Sequence, residues 1–158
     1  MSGRLVGIYT TAVGGAPMDA HREVRAVAGA GLDGDRYAAK VGTFSEREGG
    51  GREVTLIERE AVAAANEKGV TIGEHETRRN LVTEGVDLGA LIGKTFAVGD
   101  VVLYGVRDCP PCGYLQGMTQ PGVVAALQGS GLRADIVRDG TVRVGDEIVE
   151  VASEAQTA

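Results

Sequence analysis

Apolar and polar positions alternate in short runs along most of this chain, the period of half-buried strands and not of helices. An opening strand is predicted from Gly3 toward Val13, carried by Arg4-Leu5-Val6-Gly7-Ile8-Tyr9-Thr10 and ended by Gly14-Gly15-Ala16-Pro17. Within Met18 to Ala30 the alternation Glu23-Val24-Arg25-Ala26-Val27-Ala28 predicts a second strand, and Glu53-Val54-Thr55-Leu56-Ile57 a third. Glu58 to Lys68 has the composition of a helix: acids in its first turn, alanines through its body, Lys68 near its end and Gly69 as the stop. That helix is expected to pack on a sheet face without a catalytic part. A second, short helix is predicted over Gln120 to Gly129, begun by Pro121, and Gly131 to Val137 returns to strand.

Two segments resemble each other. Gly93 to Val106 and Gly140 to Ala152 each place a Val-Gly-Asp turn between two alternating runs, at Val98-Gly99-Asp100 and Val144-Gly145-Asp146. Two such units indicate a barrel or sandwich more than a doubly wound sheet. Ser45 to Gly51 is polar and glycine-rich and reads as a loop. At 158 residues the chain is expected to form one domain, over residues 1–152, with a small polar tail over 153–158 that is disordered.

Composition narrows the function. A formal net charge of -6 argues against broad nucleic-acid or anionic-membrane binding, because both draw affinity from a basic face. Any anionic ligand must then be held by a local cluster. No apolar run reaches the roughly 18 residues of a membrane helix, and no secretory leader is evident, so a soluble, cytoplasmic protein is expected. Glycine, at 25 of 158 residues, reads as tight turns between strands.

Candidate chemistry concentrates in three places. Both cysteines lie in Asp108-Cys109-Pro110-Pro111-Cys112-Gly113-Tyr114-Leu115, where adjacent prolines stiffen the backbone between them. A structural zinc site needs four ligands, and the two histidines, His21 and His75, are far apart; a thioredoxin-like pair should open a helix, which Pro111 and Gly113 fit poorly. That leaves a single working cysteine, Cys112 or Cys109, that binds a metal or carries sulfur, beside the plain alternative of two small buried residues. Arg78-Arg79-Asn80 is a compact donor cluster suited to phosphate or carboxylate, unless it is only a solvated surface pair. Asp35-Arg36 follows a turn-rich stretch and reads as a loop with a local ion pair or as part of a site.

Taken in order, Gly31-Leu32-Asp33-Gly34-Asp35-Arg36, Arg78-Arg79-Asn80 with Gly85-Val86-Asp87-Leu88, Gly93 to Gly99, Cys112 after proline, Gly131-Leu132-Arg133-Ala134 and Gly145-Asp146 resemble a MOSC domain. This module is named for the C-terminal part of molybdenum-cofactor sulfurases, and the likeness, to a small stand-alone bacterial-type member, runs from about Arg4 to Val151. It implies a mainly β fold with a few helices, centred on a β-barrel like that of pyruvate kinase. It also implies a cofactor, molybdopterin with its molybdenum, bound stably or only transiently, and two chemistries. In one, the domain receives sulfur from a cysteine desulfurase and delivers it to the cofactor or a molybdoenzyme partner. In the other, found in amidoxime-reducing relatives, the family cysteine ligates molybdenum and N-hydroxylated compounds are reduced.

Cys112 matches that cysteine, as sulfur carrier or metal ligand, and Cys109 is auxiliary. Arg78, Arg79 and Asn80 would take the cofactor's phosphate or pterin edge; Arg36 would line the same pocket, and Asp35 would brace its loop. The N-terminal barrel extension of the amidoxime-reducing relatives and the desulfurase domain of eukaryotic sulfurases are not recognisable here, so no pyridoxal phosphate is expected in this chain and sulfur transfer would need a partner. A non-catalytic module that binds a partner through its barrel face is the remaining alternative.

Overall fold

Branched and aliphatic residues at alternate positions make strands, and here enough strands follow one another to close a sheet on itself. The computed structural model describes residues 3–11, 18–35, 53–67, 79–108 and 131–151. Its elements in chain order are β1 (Gly3–Thr10), β2 (Asp19–His21), β3 (Glu23–Val27), β4 (Gly31–Leu32), β5 (Val54–Glu58), α1 (Arg59–Glu67) and β6 (Leu81–Glu84). A 3-10 helix (Leu88–Leu91) follows, then β7 (Thr95–Val98), β8 (Val101–Asp108), β9 (Gly131–Arg138), β10 (Gly140–Arg143) and β11 (Glu147–Glu150).

Seven strands pair in the order β11-β7-β8-β9-β5-β6-β1, and β11 pairs again with β1, so the sheet is a closed barrel with β2 added outside β1. Closure removes the edges that an open sheet of this length would expose. All neighbours are antiparallel except β5 and β6, whose parallel pairing is bridged by α1. A second, three-stranded sheet, β10-β3-β4, packs against β8 and β9.

The interior is a single apolar cluster. Leu5, Ile8, Val54, Leu56, Leu81, Phe96, Val98, Leu103, Leu132, Ala134, Ile136 and Ile148 fill the barrel, Val24, Ala26, Leu32 and Val142 come from the small sheet, and Leu88 and Leu91 from the 3-10 helix. Along β9, Leu132, Ala134 and Ile136 are buried while Arg133, Asp135 and Val137 between them are half-buried, the expected inward and outward alternation. The neighbours of Leu56 and Leu81 on the outer face, Ile57 and Val82, are covered by α1 through Val62 and Ala65.

The two repeated units part ways. In the first, β7 and β8 form a hairpin with Val98 opposite Val101, and Gly99 turns at φ +57°. In the second, β10 joins the small sheet while β11 joins the barrel, so the turn is a crossing between sheets. The turns meet: the Gly99 N–H donates to the Glu147 carbonyl at 3.2 Å, and a Cβ on Gly99 would overlap the Asp146 carboxylate.

Two other expectations need adjustment. Glu58 belongs to β5, not to the helix, since it pairs with Thr83 and its carboxylate accepts the Leu88 N–H at 3.0 Å. β2 was not foreseen, because three exposed residues carry no alternation. The predicted helix over 120–129, the loop over 45–51 and the tail over 153–158 lie outside the described residues. Among the described residues no helix is long and apolar enough to cross a membrane.

Candidate functional site

The end of β1 gathers the two motif segments that the sequence singles out. Asn80 enters β6 from the arginine pair and is wholly buried. Its Oδ1 accepts from the Thr55 N–H at 3.0 Å and from the Thr55 hydroxyl at 3.1 Å, and its Nδ2 donates to the Tyr9 carbonyl at 3.1 Å. Its main chain repeats the links: the Asn80 N–H donates to the Thr55 carbonyl at 3.1 Å, and the Asn80 carbonyl accepts from the Tyr9 N–H at 2.7 Å. One asparagine thereby ties β1, β5 and β6 together just where the parallel pair begins. Its side-chain amide is spent on backbone and a neighbouring hydroxyl, so what it offers the site is the placement of Arg79. Arg79 itself is half-buried, with Nε out of solvent.

Asp35 does the same for the other segment. It is 1% exposed, and its Oδ1 accepts the Thr11 N–H at 3.1 Å, two residues beyond the Tyr9 that Asn80 holds. The preceding turn is fixed by Gly34 at φ +84° and by the Asp35 N–H donating to the Leu32 carbonyl at 3.0 Å. A buried carboxylate accepting a main-chain N–H is a bracing role, the one expected for Asp35. Residues 9–11 therefore anchor both the residue before Arg36 and the residue two after Arg78.

Arg36, Arg78, Cys109 and Cys112 lie outside the described residues. Chain connectivity still locates where the cysteine segment departs and returns: it leaves β8 after Asp108 and rejoins β9 at Gly131, and Asp108 is paired with Leu132, which is paired with Leu56. Leu56 pairs with Leu81, the residue after Asn80. Of the two strands bounding the cysteine segment, β9 is separated by β5 alone from β6, which Asn80 enters, and β8 by β9 and β5.

Sequence reasoning missed three contributors. Glu53 Oε1 accepts both the Gly29 N–H at 3.1 Å and the Ile136 N–H at 2.9 Å, locking the turn before β4 to β9. Asp139 Oδ1 takes the neighbouring Ala28 N–H at 2.6 Å. His21 is not isolated: its Nε2 lies 2.7 Å from the Thr10 hydroxyl, at the same end of β1. Only the fold brings these pairs together, since 24 to 111 positions separate the carboxylate partners.

At the end of β5, Glu58 has a perturbed carboxyl group. Burial raises its carboxyl pKa above the usual value, opposed by the Leu88 N–H and reinforced by the charges of Asp87 and Glu60. No cluster of three or more His, Cys, Asp or Glu side chains suited to a metal ion occurs among the described residues. Among the described residues at this end of the barrel, Arg79 brings a guanidinium group, the chemistry that suits the anionic phosphate of a pterin cofactor.

Comparison with known proteins agrees with this architecture. The structure is similar to the YuaD protein of Bacillus subtilis, with a TM-score of 0.76 and 22% identity over 97% of this chain and 98% of that one. It is also similar to YiiM from Geobacillus stearothermophilus (TM-score 0.71, 14% identity, 95% of this chain and 75% of the other) and to YiiM from Escherichia coli (TM-score 0.63, 18% identity, 94% and 70%). At these identities the likeness establishes the fold. A search of curated proteins returns no match. The MOSC domain profile matches residues 35–149, which is most of the barrel and all the motifs from Asp35 onward; the chain belongs to the MOSC domain family.

Proposed function

We propose that this MOSC domain binds molybdenum cofactor at the end of β1 and carries sulfur on Cys112, as a persulfide or as the thiolate ligand of the metal. The observation that carries the reading is the double anchoring of residues 9–11, by Asp35 beside Arg36 and by Asn80 beside the arginine pair. Family membership supports the ligand class. Arg36, Arg78 and Arg79 would hold the phosphate and pterin edge through charge-assisted hydrogen bonds, and Asn80 serves as a positioning residue. When bound, the cofactor supplies a molybdenum centre capable of oxygen-atom and sulfido chemistry.

The chain's own step is a thiol exchange. The Cys112 thiolate attacks the terminal sulfur of a persulfide on a partner desulfurase; a new S–S bond forms at Cys112, the donor's S–S bond breaks, and the donor cysteine leaves as thiolate. No net oxidation occurs. Guanidinium groups nearby would favour the thiolate form over the thiol.

The test is to prepare the protein and Cys112→Ser from a cofactor-competent host and measure molybdenum content, intact mass and reduction of an N-hydroxylated substrate. A mass gain of one sulfur on Cys112, lost in the serine variant, supports the carrier. Stoichiometric molybdenum with turnover that needs Cys112 supports the reductase instead. Neither metal nor sulfur on the protein, with Cys112→Ala rescuing every phenotype of a deletion, would leave a non-catalytic binding module.

A further inference from the structure

The last residues of β1 lie past the closure of the barrel. β11 pairs with β1 at Gly3 and Arg4, and β6 pairs with it from Arg4 to Ile8. Beyond Ile8 the ladder continues on one side, where Tyr9 is opposite Ala20 and Thr10 is opposite Asp19 in β2. Among the described elements, β2 is therefore the strand that carries the end of β1 forward.

β2 has little of its own to hold it there. Its three residues, Asp19, Ala20 and His21, are all exposed, so it brings no buried apolar face to the pairing. Beside its ladder bonds, what fastens it is polar. His21 is opposite Ile8, two positions from Thr10 on the same face of β1, a diagonal within reach of a long side chain. Its Nε2 and the Thr10 hydroxyl share a hydrogen bond of 2.7 Å, donated by either one according to the ring's tautomer. Thr10 is 4% exposed, so the bond engages a hydroxyl that water barely reaches.

Three consecutive residues are thus each held by a different segment: Tyr9 by Asn80 at the start of β6, Thr10 by His21 in β2, and Thr11 by Asp35 after β4. Asn80 and Asp35 are the residues that join the two arginine segments to β1. Tyr9 and Thr11 are the chain neighbours of Thr10, so a shift of Thr10 carries both of those anchors with it.

We infer that His21 is a positioning residue for the site at the end of β1: its bond to Thr10 is the third tether of residues 9–11 and sets how tightly that site holds its ligand. The inference rests on the cofactor reading for the identity of the ligand.

The test uses the full chain and two readouts. One is amide hydrogen exchange at Tyr9 and Thr11 in cofactor-free protein; the other is affinity for molybdenum cofactor, taken as pterin bound per chain across a titration. His21→Ala, and Thr10→Val, which keeps the branched shape without the hydroxyl, should each speed exchange at both amides. Each should also weaken cofactor binding by about two- to tenfold, the effect of one net hydrogen bond. Exchange in β7 and β8 should stay as in wild type, which shows that the barrel is intact. Removing both partners should cost no more than removing one. His21→Gln should restore both readouts, because its amide reaches where Nε2 lies and can donate or accept; the shorter His21→Asn should not. Arg22→Gln, which removes a neighbouring exposed charge, should change neither.

Unchanged exchange in His21→Ala, or a glutamine variant as impaired as the alanine one, overturns the tether. Faster exchange with unchanged cofactor affinity would make the bond purely structural and overturn the positioning role. Wild type that takes up no cofactor sinks the cofactor reading, and exchange at the two amides then retains the tether or overturns it.

Discussion

Asn80 concentrates more of the site's order than any other described residue. Replacing it with alanine removes the acceptor of the buried Thr55 N–H and the donor to the part-buried Tyr9 carbonyl. Each orphaned buried group costs about 1–3 kcal/mol, so Asn80→Ala is expected to lose about 2–4 kcal/mol in urea unfolding. A loss under about 0.5 kcal/mol would show that the stitch is not what orders this end. Glu58 poses the opposite case. Its raised pKa means the folded state binds the proton more tightly than the unfolded state, so its contribution is fully present below the unfolded value of about 4.5 and declines as pH rises through the raised folded value. Glu58→Gln keeps an acceptor for Leu88 without the charge. Urea midpoints measured from pH 4 to pH 8 should show the variant gaining on wild type as pH rises. A variant that falls behind as pH rises would mean that the carboxylate's bond to Leu88 outweighs burial.

Elements built from one strong local pattern were legible: β1, β3, β5, β9 and α1 follow the alternation or helical composition of their residues to within a few positions. What was not legible depends on partners distant in sequence. The repeated Val-Gly-Asp units look alike along the chain, yet one is a hairpin and the other a crossing, because β10 finds β3 and β11 finds β1 and β7. Nor could the bulge in β8, where Val106 is the extra residue between Gly105 opposite Ala134 and Arg107 opposite Arg133, be read locally, since it exists only relative to the register of β9. That bulge leans on Gly105. Gly105→Ala would drive a Cβ into the Leu91 carbonyl, forcing the 3-10 helix or the bulge to shift, at a cost of about 1–3 kcal/mol in thermal or urea unfolding. Unchanged stability would mean that this approach of backbone to backbone is softer than drawn.

At the scale of the whole molecule, seven strands close around one apolar core and leave function to the segments between strands. The sequence indicated a barrel and a family from ordered motifs. It singled out Asn80 as a cofactor contact and Asp35 as a brace of its loop, without revealing that both tether residues 9–11. The proposed site requires Arg79 and Cys112, on segments far apart in the chain, to serve one anionic ligand. A double-mutant cycle on cofactor affinity addresses it most directly, with wild type, Arg79→Gln, Cys112→Ser and the double variant compared by pterin bound per chain. One shared ligand predicts coupling: the double variant should lose less than the sum of the singles, with an interaction energy of about 0.5–3 kcal/mol. Losses that add to within about 0.3–0.5 kcal/mol would place the thiol and the guanidinium at independent sites and contradict the account.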